Sequence, residues 1–245
     1  MVVDKGYEKA AHLYDIFDNK DNIDFFYQYG KEAGLILDIG AGTGRIAIPL
    51  AKRGVRVVCI EPSPAMRNEF SQKLKHQSDL FDKITLITGD VQSFELPEVF
   101  PAAFLSGSFD HIPDSERVTS LQNINRHLKP GGIVIFDVYI GGMKDSPLAL
   151  VDTVKRGDYE YKRFISTKTL PDDIIEVLLV YETYKQGKLI EKIQQPSSAF
   201  VITRTKIHEL LHKTGFLIKN EYGDFHFSPF KEGDSFLIIE AIKTK

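Results

Sequence analysis

The stretch Leu35-Ile36-Leu37-Asp38-Ile39-Gly40-Ala41-Gly42-Thr43-Gly44-Arg45 joins a short apolar run to three alternating glycines. The run Leu35–Ile39 suits a parallel strand buried on both faces. Glycines at 40, 42 and 44 let the backbone turn tightly and approach a ligand where a Cβ would collide. Ile46, Ile48, Leu50 and Ala51 then predict a helix closed by Gly54. Such a helix start offers free N–H groups to a carboxylate or phosphate. Val55–Ile60 predicts the next strand, and Glu61 at its tip stands 21 positions beyond Gly40. A carboxylate there can accept hydrogen bonds from ribose hydroxyls. Strand, glycine turn, helix, strand and terminal acid follow in the order of a nucleotide-binding β-α-β unit. Dinucleotide sites usually carry a glycine three places after the second one, and Arg45 occupies that place here. The Gly-x-Gly-x-Gly spacing favours a ligand without a pyrophosphate.

The same alternation extends in both directions. Upstream, Tyr7, Ala10, Ala11, Tyr14 and Phe17 mark one face of an amphipathic helix, and Phe25 to Tyr29 a second, aromatic one. Downstream, Pro64–Lys75 reads as a helix, Ile84–Thr88 as a third strand and Ala102–Leu105 as a fourth. Val118, Leu121, Ile124 and Leu128 share a helix face, with Asp114 or Ser115 as its cap. Lys129-Pro130-Gly131-Gly132 is expected to stop that helix before a fifth strand, Ile133–Phe136. Repeated units of this kind build a parallel sheet with helices on both faces. After about Met143 the pattern changes to antiparallel strands at Tyr159–Ser166, Ile175–Tyr184 and Lys188–Gln194, with a hairpin at Lys185-Gln186-Gly187. A helix through Ile207, Leu210 and Leu211 ends at Gly215, and Phe216–Tyr222 and Ser235–Ile242 close the chain as strands. The expectation is one domain over residues 1–245, with N-terminal helices at 1–33 and a β insertion at 145–200.

Composition narrows the class. A hydrophobic fraction of 42% over 245 residues provides a sizeable core. A formal net charge of −3 gives no concentrated basic surface, so nucleic acid is not the expected partner. The single cysteine, Cys59, excludes an internal disulfide framework and a multi-cysteine metal site; in its apolar run it reads as a small buried hydrophobe. Met1 to Gly6 carry no signal pattern, and no apolar run approaches the roughly 20 residues that span a bilayer. A cytoplasmic chain without membrane or metal partners, monomeric or homodimeric, is expected.

Leu37 to Arg45 resembles the first motif of the class I methyltransferases that use S-adenosylmethionine. Ile60-Glu61-Pro62-Ser63-Pro64-Ala65-Met66, Gly89-Asp90-Val91 and Leu128-Lys129-Pro130-Gly131-Gly132 resemble three further elements of that family. The resemblance covers most of the chain. It implies an α/β Rossmann-like sheet of seven strands in the order 3-2-1-4-5-7-6, with strand 7 antiparallel and an N-terminal helical lid. It also implies S-adenosylmethionine as cofactor and S-adenosylhomocysteine as product. Asp38, Gly40, Ala41, Gly42, Thr43 and Gly44 would hold the methionine part, Glu61 the ribose, and Pro62, Ser63, Met66, Asp90 and Val91 the adenine. One departure is that Phe100-Pro101-Ala102-Ala103 lacks the acid that usually opens the fourth strand.

The loop Ser106-Gly107-Ser108-Phe109-Asp110-His111-Ile112 follows the fourth strand and should face the sulfonium, because ligands bind outside the carboxyl ends of parallel strands. It resembles a Phe-x-His-Leu element of small-molecule members, which places Ser106 and Phe109 beside the cofactor. His111 is the candidate base, or else orients the loop. Asp110 could face a cationic amine or only solvent. Tyr14 could close over the cofactor or fill the core. Asp137 could meet substrate or backbone. Tyr181, Phe200, Arg204 and the aromatic run Tyr222 to Phe230 either wall the acceptor pocket or simply pack. Methyl transfer from a sulfonium is direct displacement, so alignment matters more than a catalytic triad. The reading is N- or O-methylation of a small molecule. A nicotinamide-dependent oxidoreductase and a non-catalytic adenosyl-ligand-binding protein are the alternatives.

Overall fold

The structure is a computed structural model that describes residues 8–17, 20–141, 144–171 and 174–244. Tyr7 and Met143 therefore lie outside the described residues. Helix α1 spans Asn22–Ala33 and ends at Gly34, which takes a left-handed conformation. Strand β1 (Leu35–Ile39), α2 (Ala47–Lys52), β2 (Arg56–Glu61), α3 (Pro64–Lys75), β3 (Ile84–Thr88), β4 (Phe100–Leu105), α4 (Asp114–Arg126) and β5 (Leu128–Tyr139) then alternate. The chain continues through β6 (Ser146–Arg156), β7 (Tyr159–Leu170), β8 (Ile174–Lys185) and β9 (Lys188–Phe200), then α5 (Arg204–Lys213), β10 (Phe216–Tyr222) and β11 (Phe236–Lys243).

Seven strands form one sheet in the order β10-β11-β5-β4-β1-β2-β3, the expected 3-2-1-4-5-7-6 arrangement with β10 and β11 as its last two members. Strand β11 runs antiparallel to both neighbours, and the other pairs are parallel. Alternate residues of each strand feed two cores. Leu37, Ile39, Leu105, Phe136 and Val138 join α4 and α5 on one face, while Ile36, Phe104 and Ile135 join α1 and α2 on the other. This arrangement follows from the two-residue period of strands. It sends Asp38 and Asp137, on β1 and β5, to the α1 side.

The second sheet, β6-β7-β8-β9, is antiparallel and occupies Ser146–Phe200. Its β8–β9 hairpin turns at Gln186 and Gly187, both with positive φ, as two-residue hairpin loops require.

Several expectations need correction. The first N-terminal helix is a short 3-10 segment, Ala11–Ile16, held to the second sheet by Leu13 and Tyr181 rather than by its own length. Helix α4 begins at Asp114 after Pro113 without a side-chain cap, and Leu128 belongs to β5. Lys129 to Gly132 do not stop the helix; they sit inside β5 as the residues passed over between the Phe100–Leu128 and Ala102–Ile133 pairs. A Cβ at Gly132 would come within 2.9 Å of the Lys129 carbonyl oxygen, which explains the glycine there. Strand β6 was not foreseen: its side chains are mostly exposed, so it carries no periodic burial signal.

Candidate functional site

The glycine turn leaves β1 with its amides donated sideways. Gly40 N–H and Ala41 N–H both donate to the Ile60 carbonyl, at 2.8 and 3.2 Å. Gly40, Gly42 and Gly44 all have positive φ. A Cβ on Gly40 would lie 2.8 Å from Cβ of Ser108, and one on Gly44 would lie 2.4 Å from the Phe70 ring. The first glycine thus brings two loops together, and the third lets α3 pack against the turn.

Glu61 is buried at the tip of β2. Its Oε2 accepts from Gly42 N–H and its Oε1 from Ser63 N–H, both at 2.7 Å. Ser63 caps α3 by accepting from Met66 N–H, and Arg67 donates to the Glu61 and Pro62 carbonyls at 2.8 and 2.6 Å. Both oxygens of Glu61 accept from backbone amides, which fixes the carboxylate at the edge of the turn.

Between these elements lies a cavity of about 320 Å³. Its walls bring together Tyr14, Gly40, Gly42, Glu61, Pro62, Ser63, Met66, Asp90, Val91, Ser106 and His111 of the expected residues. A smaller lobe of about 20 Å³ adds Asp38, Ala41, Thr43 and Arg45. Gly44, Phe109 and Asp110 do not line either. Phe109 is a correction with a clear cause: it is wholly buried and stacks on Phe136 at 4.2 Å, supporting the loop from beneath. Gln92 and Glu116 line the cavity without having been foreseen; Gln92, in the turn after β3, donates to Glu116 in the first turn of α4. Nothing in local spacing announces that pairing.

Two buried carboxyls sit on the α1 side. Burial pushes the Asp38 carboxyl up to about 7, helped by Glu61 and opposed by Arg45. Its Oδ2 has no hydrogen-bond partner among the described residues. Burial likewise pushes Asp137 up to about 7, with Arg45 opposing and Asp110 adding to the rise. Asp137 meets backbone, accepting from Gly107 N–H at 3.0 and 3.2 Å. Arg45 donates to Ser106 Oγ at 3.0 Å, and Asn22 donates to the same oxygen at 3.1 Å. Arg45, read in the sequence only as a missing glycine, therefore supplies the cation felt by both acids.

The N-terminal segment lies over this region. Asp15 accepts from Thr43 Oγ1 at 2.6 Å and from Lys73 Nζ, and Lys73 also donates to the Thr43 carbonyl at 2.9 Å. On its other side Phe17 meets Tyr181 at 5.7 Å, under the Arg163 guanidinium. Tyr14 is held between these two attachments and lines both lobes. The clamp through Asp15 and Lys73 spans residues distant in sequence, so only the neighbouring Tyr14 was legible.

His111 lies in a 3-10 turn, Phe109–His111. Its Nδ1 is 2.9 Å from the Ser198 carbonyl oxygen on β9. A carbonyl only accepts, so the neutral ring carries its proton on Nδ1 and its lone pair on Nε2. The remaining candidates pack. Arg204 pairs with Glu221, Tyr181 is buried, and Tyr222, Phe225 and Phe227 surround Phe25 of α1 with ring centroids 4.5–5.6 Å away. No helix among the described residues is long and apolar enough to cross a membrane.

Comparison with known proteins agrees with this geometry. Residues 36–132 match a family model described as a methyltransferase domain. An uncharacterized methyltransferase of Bacillus cereus is 28% identical over 174 residues, covering 66% of this chain and 79% of the relative. The CcbJ methyltransferase from Streptomyces caelestis superposes with a TM-score of 0.80 at 17% identity, covering 97% of each chain. An amino pentose methyltransferase from Micromonospora echinaspora gives 0.75 at 17%, covering 95% of each. A sugar N-methyltransferase from Streptoalloteichus gives 0.74 at 19%, covering 95% of this chain and 93% of that one. With the glycine turn, the buried Glu61 and the sheet order all in place, the chain carries a methyltransferase domain at residues 36–132 and shares the fold of the S-adenosylmethionine-dependent methyltransferases.

Proposed function

We propose that this enzyme methylates an amine nitrogen of a small polar molecule, with His111 as the base that removes the acceptor's proton. One observation carries the reading: the glycine turn, Glu61 and His111 line the same cavity. The residues present fit the cofactor. Asp38, with its unpartnered buried oxygen, and Arg45 suit the ammonium and carboxylate of an amino acid. Glu61 would hold the ribose hydroxyls and Asp90 the adenine amino group. A cavity of about 320 Å³ falls within the range for small-molecule sites.

When bound, S-adenosylmethionine supplies an electrophilic methyl group and leaves as S-adenosylhomocysteine. This chain's part is alignment and proton removal. The Ser198 carbonyl fixes the His111 tautomer, so Nε2 accepts the proton of an incoming ammonium or hydroxyl. Tyr14 covers the cavity and limits access of water. The sheet over Ser146–Phe200 meets the site through β9, where the Ser198 carbonyl holds His111. The fold neighbours named for amino pentose and sugar nitrogen methylation support an amine over a hydroxyl.

The test is a panel of amino sugars, other small amines and matched alcohols, scored by mass spectrometry for methylated product and S-adenosylhomocysteine. Amine methylation that falls by about 10²–10⁴-fold in His111→Gln is expected for loss of a general base. Methylation of the alcohols alone, or a His111→Gln enzyme at the wild-type rate, would refute the assignment.

A further inference from the structure

Arg117 is the largest fully buried side chain among the described residues, at 1% exposure, and it does not line the cavity. A buried cation is costly unless it is paired and hydrogen-bonded. Its carboxylate partner, Asp114, is mostly exposed and 3.3 Å away, and Nε has no partner among the described residues. Burial pulls the guanidinium below its ordinary value, with Asp114 and Asp110 opposing that pull. So poorly compensated a charge needs a reason at this place.

The contacts supply one. Arg117 donates to the Phe200 carbonyl at 2.7 Å, and its guanidinium stands 5.7 Å from the centroid of the Phe109 ring. Phe109 opens the 3-10 turn that ends in His111. Two residues before Phe200 on the same strand, the Ser198 carbonyl accepts from His111 Nδ1 at 2.9 Å. Strand β9 pairs with β8 on one side only, so carbonyls two residues apart leave its open edge in the same direction. One strand edge thus holds both the imidazole and the arginine, and the arginine supports the turn that carries the imidazole.

We infer that Arg117 is a positioning residue for His111: it seats the Phe109–His111 turn against the edge of β9 and thereby keeps the proton on Nδ1. The inference rests on His111 being the base. Free neutral imidazole side chains favour the Nε2–H form, and the Ser198 carbonyl, accepting at 2.9 Å, tips the ring to Nδ1–H. Removing the guanidinium frees the turn from β9 and lets the ring revert.

Long-range proton–nitrogen NMR of the histidine rings reads the tautomer directly, and His111→Gln assigns the signal among the seven histidines. The full-length wild type, Arg117→Met and Arg117→Lys are compared, each with calorimetric titration of S-adenosylhomocysteine. The wild type should show Nδ1–H at His111. In Arg117→Met the ratio of Nδ1–H to Nε2–H should fall at least fivefold, while S-adenosylhomocysteine affinity stays within about twofold of the wild type. Should Arg117→Met not fold, Arg117→Lys keeps a cation but loses the planar fork, and should show a fall of about threefold. A folded variant with the wild-type tautomer ratio would overturn the inference. The two readouts separate the claims: absence of S-adenosylhomocysteine binding by the wild type refutes the cofactor site, whereas an unmoved tautomer refutes only the role of Arg117.

Discussion

Asp38→Asn tests the electrostatics of the glycine turn through stability alone. Asp38 is 2% exposed, and its carboxyl is pushed up to about 7 from an ordinary 3.8. A raised carboxyl binds its proton more tightly in the folded state than in the unfolded state. Its contribution is therefore fully present below about pH 4 and is lost as pH rises towards 7. A gap of about three between the two values corresponds to roughly 4 kcal/mol. Arg45 and Glu61 both respond to the charge, which makes that figure an upper bound. Asparagine has nearly the same shape and does not titrate. Urea unfolding of both proteins from pH 4 to pH 8.5 gives the difference curve directly. The stability of the wild type minus that of the variant should fall by up to about 4 kcal/mol across the window, then level off above pH 7. Parallel curves, or a difference that rises with pH, would refute a buried carboxyl held neutral by its surroundings.

Two further outcomes follow from the same contacts. Gly44→Ala places a Cβ 2.4 Å from the Phe70 ring at a φ of +82°; it should cost about 2–5 kcal/mol by thermal or urea unfolding, and a loss under 1 kcal/mol would contradict the packing described. Asp15→Asn removes the charge that ties the N-terminal segment to Thr43 and Lys73. Stopped-flow release of S-adenosylhomocysteine should quicken about fivefold, the effect of an ion pair worth about 1 kcal/mol. An unchanged release rate would mean that the segment does not gate the cavity.

The parallel sheet was legible because its central strands β1, β2, β4 and β5 are mostly buried and read as apolar runs, while the edge strand β3 keeps the same apolar, β-branched composition. Helix α3 and strands β1, β3 and β10 match their expected bounds residue for residue. The β insertion was only partly legible. Strand β6 exposes Leu148, Leu150 and Val151, and its short apolar run Leu148–Val151 follows Pro147 without the alternation that marks a half-buried strand. In the site, the residues that line the cavity come mostly from strand tips and the turns after them, where backbone need and ligand need coincide in one motif. Those that were missed act across the sequence. Arg117 reaches Phe200, Gln92 reaches Glu116, and Lys73 reaches Asp15, and none of these pairs shares a local pattern. Phe109 was misassigned for a related reason: in a loop that faces ligand, alternate residues turn inward, and only the fold decides which. The aromatic run after β10 surrounds Phe25 instead of lining the cavity, because α1 presents an aromatic face there.

Calorimetric titration of the wild type and Glu61→Ala with S-adenosylmethionine, S-adenosylhomocysteine and NAD⁺ addresses the central claim most directly. Glu61 holds the amides of Gly42 and Ser63 and lines the cavity, so its loss removes the order of the turn and, on the proposed reading, the ribose acceptor. The account predicts selective binding of the two adenosyl ligands, weakened at least tenfold in the variant, a change of about 1.4 kcal/mol or more. Preferential binding of NAD⁺, or adenosyl-ligand affinity unchanged in Glu61→Ala, would contradict it.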